Sequence, residues 1–296
     1  MKIRETLSQG REALTANKIE DASLEAEVLL RHAFGLHRVQ LYLQFDRELS
    51  AEENESFRQL IQRRLNNEPT AYIIGHREFY GLDFYIDGNV LIPRPESELL
   101  VETALGLTPE HPTHTIADVG TGSGAVAISL ALNWPRAKIY AIDISSSALR
   151  VAQTNCQKHG VSGRICLLQG DLLEPLPEPV NLIVANLPYV RKEALSQVNT
   201  RHFEPPLALD GGPDGLETIR RLGAQLEGNL RSGGSLLLEI GLDQGEAVTA
   251  FFHRLFPSAE IKLIPDGNGI DRVVRLLLPP IASLTKPSAS SVTILG

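Results

Sequence analysis

The chain has 296 residues, 43% of them hydrophobic and 22% charged, with a formal net charge of -8. That length suits one large domain with a small one, and the acidic balance argues against a surface built to neutralise phosphates, so no direct nucleic-acid binding is expected. Cys156 and Cys166 are the two cysteines and form no CxxC, no apolar signal-peptide core stands near Met1, and no apolar run has bilayer-spanning length; the expectation is a cytoplasmic protein off the membrane, with two buried free thiols.

Residues 1–70 carry apolar positions at helical period with almost no strand signal and read as a small helical bundle. Leu24, Val28, Leu29 and Ala33 trace one face, and Gly35 is placed to cap it. Ser50 and Glu53 have capping-box spacing ahead of the stripe Phe57, Leu60, Ile61 and Leu65, and Arg63 and Arg64 read as a solvated helix face. Over 71–93 the pattern changes. Leu82, Phe84 and Ile86 alternate, Asp87-Gly88-Asn89 has turn composition and Val90-Leu91-Ile92 follows, which predicts a β-hairpin linker. Pro93-Arg94-Pro95-Glu96 is a stiff corner that reads as connection rather than as a pocket wall, and Ser97 to Leu105 as a helix.

From there strands and helices alternate through 94–278. Thr115–Val119 is a strand that Gly120-Thr121-Gly122-Ser123-Gly124 turns into a helix from Ala125 to Leu132. Such glycines let backbone approach a ligand and aim amides at anionic groups, although Gly120, Gly122 and Ala125 also satisfy a permissive dinucleotide pattern. Lys138–Asp143 is the next strand. Its terminal acid suits the two hydroxyls of a ribose, with a helix cap before Ser145 to His159 as the other reading. Arg164–Gln169 is a third strand, and Asp171 after it either meets an adenine amine or closes a turn.

Val180 to Ala185 has the composition of a strand buried on both faces and breaks at Asn186-Leu187-Pro188-Tyr189. In open α/β sheets ligands sit beyond the carboxyl ends of the strands. The Asn186 side-chain carbonyl, the Leu187 main-chain carbonyl and the Tyr189 ring together suit a planar NH2 group; taken alone, the four residues serve equally as a local cap with a packing tyrosine. A Pro/Gly-rich loop from Phe203 to Gly215 has room to cover a site. A helix from Leu216 to Leu230, a strand Ser235–Ile240, a helix Gln244–Leu255 and a hairpin of Ile261–Ile264 with Arg272–Leu278 follow, and 279–296 reads as a flexible tail. The scattered histidines, His111, His114 and His202 among them, suggest no metal site, and no nucleophile–base arrangement stands out.

Taken together, Glu68-Pro69-Thr70-Ala71-Tyr72-Ile73-Ile74-Gly75, Ile92-Pro93-Arg94-Pro95-Glu96-Ser97-Glu98, Asp118-Val119-Gly120-Thr121-Gly122-Ser123-Gly124, Asn186-Leu187-Pro188-Tyr189 and Glu239-Ile240-Gly241 resemble the PrmC/HemK family of peptide chain release factor glutamine methyltransferases. The resemblance runs from residue 1 to about 278. It implies a Rossmann-like class I sheet dependent on S-adenosyl-L-methionine, preceded by a helical domain that helps dock class 1 peptide chain release factors. The implied reaction is N5-methylation of the glutamine in their Gly-Gly-Gln motif. By position, Gly120 to Gly124 resemble the loop around the methionine part of the cofactor, Asp143 the ribose ligand, Asp171 and Leu172 the adenine edge, and Asn186 to Tyr189 the family's Asn-Pro-Pro-Tyr amide clamp. Leu187 departs from that pattern, removing one ring while leaving the backbone carbonyl that Pro188 restrains. A glutamine methyltransferase of a ribosomal protein or an adenine-N6 nucleic-acid methyltransferase would use the same tetrad, and a dinucleotide oxidoreductase the same glycine loop.

Overall fold

In the computed structural model, residues 1–107, 115–197 and 203–280 are described. Among them the first elements are α1 (Ile3–Ala16), α2 (Ala22–Phe34), α3 (Arg38–Leu43), α4 (Ala51–Leu65) and α5 (Thr70–Ile74). Ile3, Leu7 and Leu14 of α1 close a single apolar core with Ala26, Leu29 and Leu30 of α2 and Phe57 and Ile61 of α4. The capping box forms: Ser50 Oγ accepts from the Glu53 N–H at 3.1 Å, and the Glu53 carboxylate accepts from the Ser50 N–H at 2.9 Å. Gly35 ends α2 in the left-handed region, φ +59. Two expectations shift. Leu24 is exposed because the buried face of α2 runs through Ala22, Ala26, Leu29 and Leu30. Arg64 is largely buried and pairs with Glu25 at 2.5 Å, tying α4 to α2.

The connector also departs from expectation. Helix α5 occupies the start of the predicted linker, and the hairpin is β1 (His76–Phe79) with β2 (Leu82–Tyr85), joined by Tyr80 and Gly81 at φ +52 and +70. Two successive left-handed residues match the twist of the flanking strands, but an aromatic there gives no turn signal in the sequence. Asp87-Gly88-Asn89 forms a local turn in which the Asp87 carboxylate accepts from the Asn89 N–H at 2.9 Å. Val90 and Ile92 do not pair as a strand; with Ile86 they pack on Ala148 and Val151.

After a 3-10 turn at Pro95–Ser97 come α6 (Glu98–Gly106), β3 (Thr115–Val119), α7 (Ala125–Asn133), β4 (Lys138–Asp143), α8 (Ser146–Lys158), β5 (Ile165–Gln169) and β6 (Val180–Ala185). The chain continues through α9 (Glu217–Gln225), β7 (Leu230–Glu239), α10 (Gly245–Leu255), β8 (Glu260–Pro265) and β9 (Asp271–Leu277). The sheet order is β5-β4-β3-β6-β7-β9-β8. The first five strands run parallel, while β9 is antiparallel to both its neighbours. One face of the sheet packs on α6 and α7 and the other on α9 and α10, so the central parallel strands β3 and β6 are buried on both sides.

Helix α9 stops at Gln225 and β7 begins at Leu230, earlier than expected for both. Leu226 and Leu230 keep helical spacing and are buried, but Gly228, φ +83, has already broken the helix. Of the two thiols only Cys156 is buried, its pKa pushed up to about 11 by desolvation; Cys166, on the edge strand β5, is exposed. The expected tail beyond 280, and His111, His114 and His202, lie outside the described residues. No described helix is long and apolar enough to cross a membrane.

Candidate active site

The strand order reverses between β3 and β6, whose last residues Val119 and Ala185 are partners. Gly120 and Asn186 therefore leave the sheet side by side, at the topological switch point where α/β sheets bind ligands. A cavity of about 720 Å³ opens there, within the usual range for small-molecule sites. Its walls include Gly120, Thr121, Gly122, Ser123, Asp143, Asp171, Leu172, Asn186, Leu187 and Pro188, residues that sequence reasoning had singled out.

Gly120 and Gly122 take φ of +74 and +55, and the N–H groups of Gly120 and Thr121 both donate to the Ile142 carbonyl at 2.9 Å. A Cβ on Gly120 would lie 3.3 Å from the Asn186 carbonyl oxygen and from Leu187 Cδ2, so the loop rests directly against the turn after β6. The Asp143 carboxylate accepts from the Gly122 N–H through Oδ2 and from the Ser145 N–H through Oδ1, each at 2.9 Å. Burial raises its pKa while the amides of Ser145, Gly122 and Ile144 oppose the rise, and the carboxylate retains acceptor capacity for a ligand hydroxyl. Asp118, fully buried, accepts from Thr121 Oγ1 at 2.6 Å and from the Ala127 N–H at 3.2 Å. Desolvation pushes its pKa up to about 6.

Three expected site residues stand differently. Gly124 is not in the cavity wall; a Cβ there would meet Ile128 Cδ1 at 3.2 Å and Ala152 Cβ at 3.3 Å, so it serves helix packing. The Asp171 side chain is ion-paired with Arg221, itself in the wall, while Leu172 at φ +55 forms an apolar surface beside it. Tyr189, expected as a platform for a planar group, contacts Glu239 instead of lining the cavity. Its ring lies outside the wall and its hydroxyl donates to Glu239 Oε1 at 3.2 Å, in a setting that raises the phenol pKa by burial and by the nearby carboxylate.

Asn186 is held from behind: its Nδ2 donates to the Ser97 Oγ at 2.8 Å. The turn itself is braced by close backbone packing. A Cβ on Gly211 would fall 2.8 Å from both the Pro188 carbonyl oxygen and Tyr189 Cα, and Gln244 Nε2 donates to the Tyr189 carbonyl at 3.1 Å. Across the cavity Pro93 and Arg94 do form a wall, contrary to the reading of that corner as connection. Arg94 Nη2 lies 2.8 Å from both oxygens of the buried Glu204, which pins the 203–215 loop against the corner, and Pro205 to Ala208 complete the rim. Asn155, also fully buried, joins β2 to the glycine loop: its Nδ2 donates to the carbonyls of Tyr85 and Ser123, and its Oδ1 accepts from the Tyr85 N–H. Sequence reasoning assigned no role to Ser97, Asn155, Glu204, Glu239 or Gln244, because only the sheet order brings them together.

Residues 5–75 match the PrmC N-terminal domain and residues 95–212 the Methyltransferase small domain. The release factor glutamine methyltransferase of Moorella thermoacetica is 44% identical over 274 residues, which is 92% of this chain and 97% of that protein. The chain belongs to the release factor glutamine methyltransferase family. The Geobacter sulfurreducens member is 41% identical over 275 residues, covering 92% of this chain and 95% of its own. A methyltransferase from Pyrococcus furiosus, 17% identical, superposes with a TM-score of 0.52 over 76% of this chain and 99% of that one, and shows the fold alone. The chain is thus an enzyme of the methyltransferase class, and the reaction implies a methyl donor.

Proposed function

We propose that this enzyme transfers a methyl group from S-adenosyl-L-methionine to the side-chain nitrogen N5 of the glutamine in the Gly-Gly-Gln motif of class 1 peptide chain release factors, with the helical N-terminal domain helping to dock that protein. The observation that carries the reading is the state of Asn186. With Nδ2 committed to Ser97, the amide carbonyl is the edge left for the cavity, which Leu187 also lines, and we take the Leu187 main-chain carbonyl as the second acceptor. Two acceptors can take both N–H bonds of a carboxamide and turn its lone pair away from them. The relatives named as release factor glutamine methyltransferases support the substrate class.

The residues present fit the donor. Gly120 and Gly122 give a backbone surface free of side chains, Asp143 keeps acceptor capacity for ribose hydroxyls, and Leu172 offers an apolar face for an adenine ring. With the Asp171 side chain held by Arg221, we assign the polar adenine contact to that corner's main chain rather than to the carboxylate. When bound, the donor supplies an electrophilic methyl group that carries its own leaving group. The chain's part is to orient the amide nitrogen, keep water out behind the Arg94–Glu204 corner, and stabilise the positive charge that grows on nitrogen through acceptors aimed at its N–H bonds. No protein nucleophile is required, because the donor carries its own leaving group.

The test is incubation with methyl-labelled S-adenosyl-L-methionine and a purified release factor, native or with Gln→Ala in its Gly-Gly-Gln motif, followed by peptide mass mapping. Label confined to that glutamine is expected. Asn186→Ala should lower turnover by about 10²-fold while changing donor affinity less. Label on a ribosomal protein or on adenine instead, or equal loss of turnover and donor binding, overturns the assignment.

A further inference from the structure

Asn89, Val90, Leu91, Pro93 and Arg94 form one wall of the cavity, on a stretch of chain that belongs to neither sheet. Val90 and Ile92 are buried there, so their main-chain polar groups need partners that no neighbouring strand provides. The partners are side chains arriving from two directions. The Ile92 N–H donates to Glu204 Oε1 at 3.3 Å, from the 203–215 loop. The Val90 carbonyl accepts from the Tyr72 hydroxyl at 2.5 Å, from α5. A carboxylate and a phenol thus stand in for the missing strand.

Helix α5 is shared between two cores. Ile73 is buried with the helical domain, while Ala71 and Tyr72 pack on the cluster of Ile86, Val90, Ile92, Ala148 and Val151. The end of α5 also holds the connector, since the Gly75 carbonyl accepts from the Ile86 N–H at 3.1 Å. Tyr72 itself lies outside the cavity wall. Burial and the nearby Glu204 carboxylate raise the pKa of its phenol, which keeps it a neutral donor. Resting on the proposed function, we propose that Tyr72 is a positioning residue for the methyl donor: its hydroxyl fixes the Val90 carbonyl and so holds the 89–94 wall in the shape that receives S-adenosyl-L-methionine. The helical domain thereby reaches the donor without touching it. Without the hydroxyl the Val90 carbonyl must find water, the wall leaves its place part of the time, and apparent affinity falls by the fraction of time it is away. A bound donor re-forms the wall, so the transfer step itself changes little.

Tyr72→Phe keeps the ring and removes only the hydroxyl. In the full-length enzyme, calorimetry with S-adenosyl-L-methionine should show binding weakened about fivefold or more, and the donor KM should rise alike. Turnover at saturating donor and the KM for release factor should stay within about twofold. In the donor-free enzyme the amides from Asp87 to Ile92 should exchange with deuterium faster than in wild type, and saturating donor should restore their protection. Tyr72→para-aminophenylalanine, which puts an N–H donor in the place of the hydroxyl, should recover most of the affinity. Thr70→Val is the control, since it removes another α5 hydroxyl, one that donates to Glu25 Oε2 at 3.0 Å away from the wall. Unchanged donor affinity in Tyr72→Phe, a loss equalled by Thr70→Val, or a fall in turnover that saturating donor does not lift overturns the inference and leaves the proposed function standing. A wild-type enzyme that binds no S-adenosyl-L-methionine overturns the proposed function, and this inference with it.

Discussion

Gly211→Ala tests whether the backbone after β6 is held in place by packing rather than by its own stiffness. The new Cβ would lie 2.8 Å from the Pro188 carbonyl oxygen and Tyr189 Cα and 2.9 Å from Gly215 Cα, against about 3.4 Å for the near edge of ordinary contact. All three neighbours are main chain and cannot rotate aside, so the turn must move by about 0.6 Å, the gap between those distances. Productive geometry tolerates about 0.5 Å, and a misplacement of about 1 Å costs about 10²-fold. Turnover should therefore fall between about 10-fold and 100-fold, with a stability loss of about 1–3 kcal/mol from overpacking. Donor affinity should hold within about threefold, because the glycine loop is supported by separate bonds to Ile142. Single-turnover rates with release factor, donor calorimetry and urea melts read the three quantities. Gly163→Ala, which meets nothing within 4 Å, is the matched control. Unchanged turnover in Gly211→Ala, or a rate loss equalled by the control, would refute the reasoning.

Asp118 and Asn155 give further expectations. Burial lifts Asp118 from 3.8 to about 6. Between about pH 4 and pH 6 the folded protein thus holds a proton that the unfolded chain has released, and this group's share of stability falls by about 3 kcal/mol as pH rises through that window. Urea melts at about pH 4.5 and pH 7 should show a shallower decline in Asp118→Asn than in wild type, and parallel curves would count against the buried carboxyl. Asn155→Leu strands one N–H and two carbonyls around a fully buried site, which should cost at least about 2 kcal/mol and weaken donor binding through Ser123. Full stability with tight donor binding would show that these groups find other partners.

The fold and much of the site were legible because strand composition and glycine turns are local signals. β6 reads as a doubly buried strand from Val180, Leu182, Ile183 and Val184 alone, and the break at Asn186 follows from Pro188. The hairpin turn was misplaced because Tyr80 accepts a left-handed backbone that only Gly81 beside it advertises, whereas Asp87-Gly88-Asn89 carries every compositional mark of a reversal. The Tyr189 ring was read as a platform because a sequence shows that a ring is present but not which way it faces; Glu239, fifty positions away, decides that. Ser97 and Gln244 belong to the same class, being ordinary polar residues at helix starts until β3, β6 and β7 lie next to one another.

One property follows from the contact between Gly120 and the Asn186–Leu187 turn. In the proposed function the two halves of the reaction stand on neighbouring strands, whose separation of about 4.8 Å is set by main-chain hydrogen bonds and hardly stretches. The span between methyl source and acceptor is therefore ruled by the sheet itself, not by a hinge that must swing shut. Substitutions that loosen peripheral segments should alter how often an encounter succeeds while leaving the reach of the transfer unaltered.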